Sequence, residues 1–351
     1  MNRVQFGRPM AVVQAADGRF SGRVDIRVTV VVLVLAMLTF ATLIAALMIG
    51  DYQIPVDRVL VTLFGEGTPR EEYVMGRRLP RALLAVLLGA ALGISGAVIQ
   101  SLTRNPLGSP DVIGFNTGAY TGALLVIVVF GGGTSYLGTS TGALIGGIGT
   151  ALAVYVLAFT QGVQGFRLIV VGIGVSAMLA SLNTWLILTA DLDTAMAAAA
   201  WGAGTLQGED NASKVWIVAL VMAVALALLI PFAVRMKILE MGDDAAAALG
   251  VRPERTRLAL LVLGVSLTAL ATAAAGPIAF VALAAPQLAK RLTGSAGVAM
   301  VPAAVMGAVL LSVSDLAAQW LFPKQLPVGV VTVSIGGLYL VWLIARETKK
   351  N

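Results

Sequence analysis

Six stretches of this chain run for 20 residues or more without a charged side chain: 28–50, 82–103, 168–190, 215–234, 292–314 and 325–345. A helix needs about 20 apolar residues to cross the hydrocarbon of a bilayer, and it satisfies its own backbone while doing so. Two longer intervals hold more. The 55 residues between Asp111 and Arg167 accommodate two further helices, split at Gly131-Gly132-Gly133-Thr134-Ser135. The 32-residue run 258–289 is broken by Gly276-Pro277, giving one span that ends near Ala275 and another that starts at Pro277. Proline suits a first helical turn. The pattern predicts an all-α integral membrane protein of about ten transmembrane helices, spanning 28–345, with both termini on one side.

Composition narrows the chemistry. Only 12% of residues are charged and 58% are hydrophobic, whereas a soluble domain is about a quarter charged. The chain has no cysteine and no histidine, which excludes disulfides, thiolate nucleophiles, His/Cys zinc sites and histidine acid–base catalysis. The net charge of +6 lies between apolar spans instead of on one soluble face, so no nucleic-acid partner is expected.

Orientation follows from lysine and arginine. With the N-terminus in the cytoplasm, seventeen of the 24 lie on cytoplasmic segments and seven outside, as the positive-inside rule requires. Residues 1–27 are then a cytoplasmic tail, disordered in part, and 346–351 a second tail. Three of the outer charges are Arg77, Arg78 and Arg81, around Leu79-Pro80 at the head of the second span. Arg78 and Arg81 are one helical turn apart and share a face. They either anchor the helix end to lipid phosphates or present charge to a partner. Arg77 is open between the same two roles.

That second span is rich in small residues (Gly89, Ala90, Ala91, Gly93, Ser95, Gly96, Ala97), which let helix backbones approach closely. It runs into Arg104-Asn105-Pro106-Leu107, where Pro106 pins a turn and Asn105 can bond its own backbone. Residues 194–208, too short to span, form a short interfacial helix around Trp201. The cytoplasmic segment 239–250 has Asp243 and Asp244 opening a four-alanine run that Gly250 closes, the pattern of a short capped helix. Asp315 is an acid near the outer end of the ninth helix. It is either an ion site or a structural partner of Arg81, with burial favouring the structural role. Gly172-Ile173-Gly174-Val175-Ser176-Ala177 mimics a dinucleotide fingerprint but lies inside an apolar span, so it is helix packing. No P-loop string occurs, so this chain does not cradle ATP.

Ordered motifs carry a more specific likeness: Arg78-Leu79-Pro80-Arg81, Ser95-Gly96-Ala97, Asn105-Pro106-Leu107, Ala274-Ala275-Gly276-Pro277-Ile278-Ala279-Phe280-Val281 and Leu326-Pro327-Val328-Gly329-Val330. From about residue 50 to 345 the chain resembles the permease subunits of FecCD-type ABC importers, which move iron–siderophore complexes, haem or cobalamin and have the type II importer architecture. Gly108-Ser109-Pro110-Asp111-Val112-Ile113-Gly114 and Glu240-Met241-Gly242-Asp243-Asp244 are most similar to the second permease of catecholate (ferric enterobactin-type) importers. The resemblance implies a non-enzymatic subunit of the inner cell membrane with no cofactor of its own. ATP and magnesium would sit on a separate dimer of ATPase subunits.

It also implies roles. Arg78 and Arg81 would dock an extracytoplasmic binding protein. Gly242, Asp243, Asp244, Ala246, Leu249 and Gly250 would form a coupling helix on the ATPase, although a basic residue common near position 247 is Ala247 here. Asn105, Leu107 and, by position only, Phe166 in the turn Gln164-Gly165-Phe166 would close the cytoplasmic gate. The helices 168–190 and 325–345 would face a partner permease. Asn183, Thr184, Thr332 and Ser334 would then line the path or, equally, satisfy neighbouring backbone. Gln319 and Gln325 stand where many relatives are charged, which favours a different permease as partner over a second copy. Two readings stay open beside siderophore import: a haem or cobalamin permease of the same type, and an ion-coupled secondary transporter, for which Asp315 is the lone intramembrane charge.

Overall fold

The computed structural model describes residues 10–15, 20–129, 136–158, 165–208 and 211–348. Two short strands, β1 (Met10–Ala15) and β2 (Phe20–Asp25), pair antiparallel, Met10 opposite Asp25 and Ala15 opposite Phe20. The two strands, six residues each, take up part of the expected N-terminal tail. The Asp17-Gly18 dipeptide between the two strands is a known hairpin signal in sequence. β2 runs straight into α1 (Ile26–Met48), where the Asp25 carboxylate accepts the amides of Arg27 and Val28. That N-cap starts the helix two residues before the uncharged run does.

After a short α2 (Val56–Leu63) comes α3 (Pro69–Thr103), 35 residues long. At 1.5 Å per residue it measures about 52 Å, far longer than the roughly 30 Å hydrocarbon core. Its start is fixed by a capping box: Thr68 accepts the Glu71 amide while Glu71 accepts the Thr68 amide, with Pro69 at the first helical position. The arginines therefore lie inside this helix instead of at its head. Pro80 is internal and leaves only one carbonyl to be satisfied elsewhere, a cost membrane helices tolerate.

The small residues of α3 make it the centre of the fold. A methyl group added at Gly89 or Gly93 would collide with the backbone of Gly307 or Ala303 on α13 (Met300–Trp320), and one at Gly96 with the Ala282 carbonyl on α12 (Val281–Thr293). A second zipper joins α4 (Phe115–Leu124), which continues as a π-helical segment to Val129, with α5 (Tyr136–Ala158): Gly118 and Gly122 face Gly142 and Gly146. The break between these helices, 130–135, includes the expected split and lies outside the described residues.

Next come α6 (Gly165–Thr189), the short α7 (Leu192–Gly202) expected around Trp201, and α8 (Asn211–Leu229). Pro231 separates α8 from α9 (Phe232–Glu240), and α10 (Asp243–Ala248) follows directly. Then α11 (Pro253–Ala275) leads through an irregular link into α12 and α13, and α14 (Val328–Thr348) closes the chain. Among the described residues, seven helices are long and apolar enough to span by themselves. The three other expected spans fall on α4 with its π-helical extension, α12 and α14, two of which are too short to cross alone.

Two further boundaries differ from the sequence reading. The helix after Gly276-Pro277 begins at Val281, not at Pro277, because Phe280 takes a left-handed conformation (φ 69°) that ends the link. The span expected at 292–314 is α13, shifted to Met300–Trp320 because Gly294 (φ 64°) caps α12 first.

Candidate functional site

At one end of the molecule the long helix α3 organises its surroundings through its arginines. Arg78 donates to the carbonyls of Leu47 and Tyr52, each at 2.9 Å, and so closes off the end of α1; Gly50 leaves the space its guanidinium fills. Arg81 pairs with Asp315 of α13 at 2.8 Å, with Gln319 donating to the other carboxylate oxygen at 2.8 Å. The Asp315 side chain is only 3% exposed. The structural reading of Asp315 therefore holds, and both arginines expected to dock a partner point inward. Exposed cations at this end include Arg70, stacked over Tyr52 at 4.5 Å, Arg77, over Tyr73 at 5.5 Å, and Lys324 beyond α13. Arg58 grips Glu71 at 2.6 Å. Its hydrogen bond, backed by the Thr68 amide, lowers the Glu71 pKa to about 2.

The other end of α3 stops at Arg104, whose left-handed backbone (φ 50°) turns the chain into Asn105-Pro106-Leu107. The Asn105 side chain accepts the Leu107 amide at 2.9 Å, the self-bonding expected of it. Leu107 is half exposed, and Phe166 at the start of α6 is 74% exposed. Gln164 lies outside the described residues.

The capped helix expected within 239–250 is α10. Gly242 (φ 115°) precedes it and Gly250 (φ 79°) follows it, both in conformations that favour glycine. Burial pushes the Asp243 carboxylate up, but hydrogen bonds from Arg257 and Arg104 outweigh it, so it lies below the ordinary carboxylate range. One member of the expected docking set is misplaced: Ala246 is fully buried in the chain's own core, against α9 and α11. Six residues make under two helical turns, so one face must turn inward. The outward face holds Asp244, Ala247 and Leu249, together with Met241, which the sequence reading did not single out.

The four polar residues of the expected path divide in the same way. Asn183 (donating to the Thr117 carbonyl at 3.4 Å) and Thr332 (donating to Gly329 at 2.9 Å) are buried inside this chain and cannot line a path as placed. Thr184 and Ser334 are exposed on α6 and α14, each bonded to its own helix. The Gly172–Ala177 string packs as expected at its first glycine, against Val112 and Ile113, while Gly174 faces open space.

Comparison with known proteins fits this arrangement. The model of the FecCD transport family matches residues 37–346. The chain belongs to the FecCD transport family. It is 50% identical over 306 residues to the ferric enterobactin transport system permease protein FepG of Escherichia coli, covering 86% of this chain and 91% of that one. It is 35% identical to the iron(3+)-hydroxamate import system permease protein FhuG of Bacillus subtilis, covering 90% and 97%. A metal-chelate type ABC transporter solved in an inward-facing conformation superposes with a TM-score of 0.80 at 27% identity, covering 91% of this chain and 99% of that one. This FecCD permease is thus a multi-pass transport subunit with an all-helical membrane domain, not a catalytic one.

The sequence reading of this permease missed one functional candidate, Asp111. Its carboxylate accepts the backbone amide of Phe280 at 3.2 Å and the side-chain amide of Asn116, whose oxygen meets the Thr272 hydroxyl. Phe280 opens α12, so Asp111 ties the turn after α3 to the start of that helix. Sequence hid it because it sits in a Ser-Pro-Asp turn that looks like a surface loop. Gln100 and Gln287 are likewise paired, at 2.6 Å, beside the Asn105 turn.

Proposed function

We propose that this chain is one permease of a binding-protein-dependent importer for ferric siderophores of the catecholate type, working with an ATPase dimer and a second, different permease. The likeness to FepG over nearly its whole length is the observation that carries the reading. In this reading both termini are cytoplasmic, and the turn at Asn105 and the exposed Phe166 belong to the cytoplasmic gate. The extended end of α3 forms the outer rim, where Arg78 and Arg81 brace the structure and Arg70 and Arg77 present charge to a binding protein. The outward face of α10, apolar at Met241 and Leu249, seats in the ATPase. A small, partly apolar helix is the shape a groove accepts.

The partner permease covers the exposed faces of α6 and α14, so Thr184 and Ser334 meet the path or its wall. Gln319 is spent on Asp315 and Gln325 accepts from Gln207 at 2.8 Å. Neither adds charge to the rim, which favours a complementary, non-identical partner.

The test is purification of the tagged chain with identification of its companions, together with uptake of labelled ferric catecholate in cells lacking the chain. The expected result is an ATPase plus a different permease, and loss of ferric catecholate uptake. A fully active complex holding two copies of this chain would overturn the pairing, and unchanged catecholate uptake would overturn the cargo.

A further inference from the structure

The end of α3 and the α9–α10 joint are held together by polar contacts centred on Arg104. The Arg104 guanidinium reaches across the joint. It donates to the Leu239 carbonyl at 2.6 Å, in the last turn of α9, and to the Asp243 carboxylate at 2.7 Å, the first residue of α10. One turn back on α3, Ser101 donates to Glu240 at 2.7 Å. Asp243 is shared: the same oxygen accepts Arg257 of α11. Between Leu239 and Asp243 lies Gly242 (φ 115°), which bonds back to the Leu239 carbonyl and forward to the Ala246 amide and so links the last turn of α9 to the first of α10.

On its other side Arg104 is joined directly to the gate turn. Its own backbone is held left-handed (φ 50°), an unfavourable region for a residue with a side chain. The next residue, Asn105, bonds back to Gln100 and forward to Leu107 and Gly108, so the turn moves as a unit with Arg104. A displacement of α10 relative to α9 must stretch one of the two Arg104 contacts or carry the turn along with it.

We infer that Arg104 is a positioning residue that transmits movement of α10 to the Asn105-Pro106-Leu107 turn, through the Asp243 carboxylate on one side and its strained backbone on the other. This rests on the reading that α10 docks the ATPase. Arg257 holds the same carboxylate to α11, so losing Arg104 leaves α10 anchored while cutting its link to the gate.

The test uses the whole reconstituted importer carrying Arg104→Gln, with three readouts: ATPase subunit retained, ATP hydrolysed, and cargo transported. Hydrolysis and ATPase content should stay near wild type while cargo moved per ATP falls about tenfold, inside the 5–150-fold span of typical site-to-site coupling. Arg104→Lys, whose ammonium can reach the same carboxylate, should recover part of that ratio. Arg255→Gln, which removes an equal charge from the same surface without touching Asp243, should leave it at the wild-type value. An unchanged ratio in Arg104→Gln overturns the transmission role, and so does an equal fall in Arg255→Gln. Loss of the ATPase subunit from Arg104→Gln also overturns it, because Arg104 would then be holding α10 in place. Failure of the docking reading shows separately, as normal ATPase retention when the outward face of α10 is blocked.

Discussion

Arg81 and Asp315 show how a charge survives burial between two helices. Each desolvated group is offset only by the other and by Gln319, so the pair adds little net stability but is costly to split. Asp315→Leu alone should destabilise the purified protein by about 3 kcal/mol, and Arg81→Met with Asp315→Leu should recover most of that loss. Thermal unfolding in detergent measures both; a double variant no better than the single one would contradict the pairing account. The pair was partly legible in sequence, since an arginine and an acid at the same end of two spans invite each other. That Arg78 serves the α1 loop was not, because its acceptors are backbone carbonyls 26 and 31 residues away. Reversing either charge would break internal contacts, so a docking test belongs on Arg70 and Arg77.

Glu71 offers a pH test on the same rim. Its pKa falls from 4.5 to about 2 on folding. The Arg58–Glu71 contact therefore contributes fully above the unfolded value and is lost as pH drops through the folded one. The stability difference between wild type and Glu71→Gln should be constant from neutral pH to about 5 and should vanish as pH nears 2. A difference that fades already between pH 7 and 5 would contradict the assignment.

Among the elements, the long uncharged runs were legible because a bilayer demands them, and α10 was legible because its caps are local. The inward and outward faces were not. In a soluble helix the polar face marks the solvent side, but here lipid and core are equally apolar. Hence Asn183 and Thr332 turn inward, Ala246 enters the core, and only three-dimensional packing tells them from Thr184, Ser334 and Ala247. The absence of cysteine from the sequence makes this directly testable. Single cysteines at Thr184 and Ser334 should react with a membrane-permeant maleimide at least ten times faster than cysteines at Asn183 and Thr332, on the order expected for exposed against buried thiols. Equal rates would contradict the placement. On α10, Ala247→Trp projects bulk outward without disturbing a left-handed glycine. It should reduce the ATPase subunit recovered with the permease, whereas unchanged recovery would make α10 a surface helix only.

At the scale of the molecule, a central glycine-rich α3 ties three regions together. Its extended end carries the Arg81–Asp315 pair, its middle lies backbone-to-backbone against α12 and α13, and its far end leads through Arg104 to both the gate turn and α10. A permease driven from a separate ATPase needs such a continuous element, whereas an ion-coupled carrier needs titrating charges open to both sides. Asp315 and Asp111 are instead both committed to internal hydrogen bonds. The most direct measurement is uptake of radiolabelled ferric catecholate into proteoliposomes holding the purified complex, with binding protein outside and ATP inside, in the presence and absence of a proton ionophore. The account predicts uptake that requires both ATP and the binding protein and is unaffected by the ionophore. Uptake that proceeds without ATP and collapses with the proton gradient would contradict it.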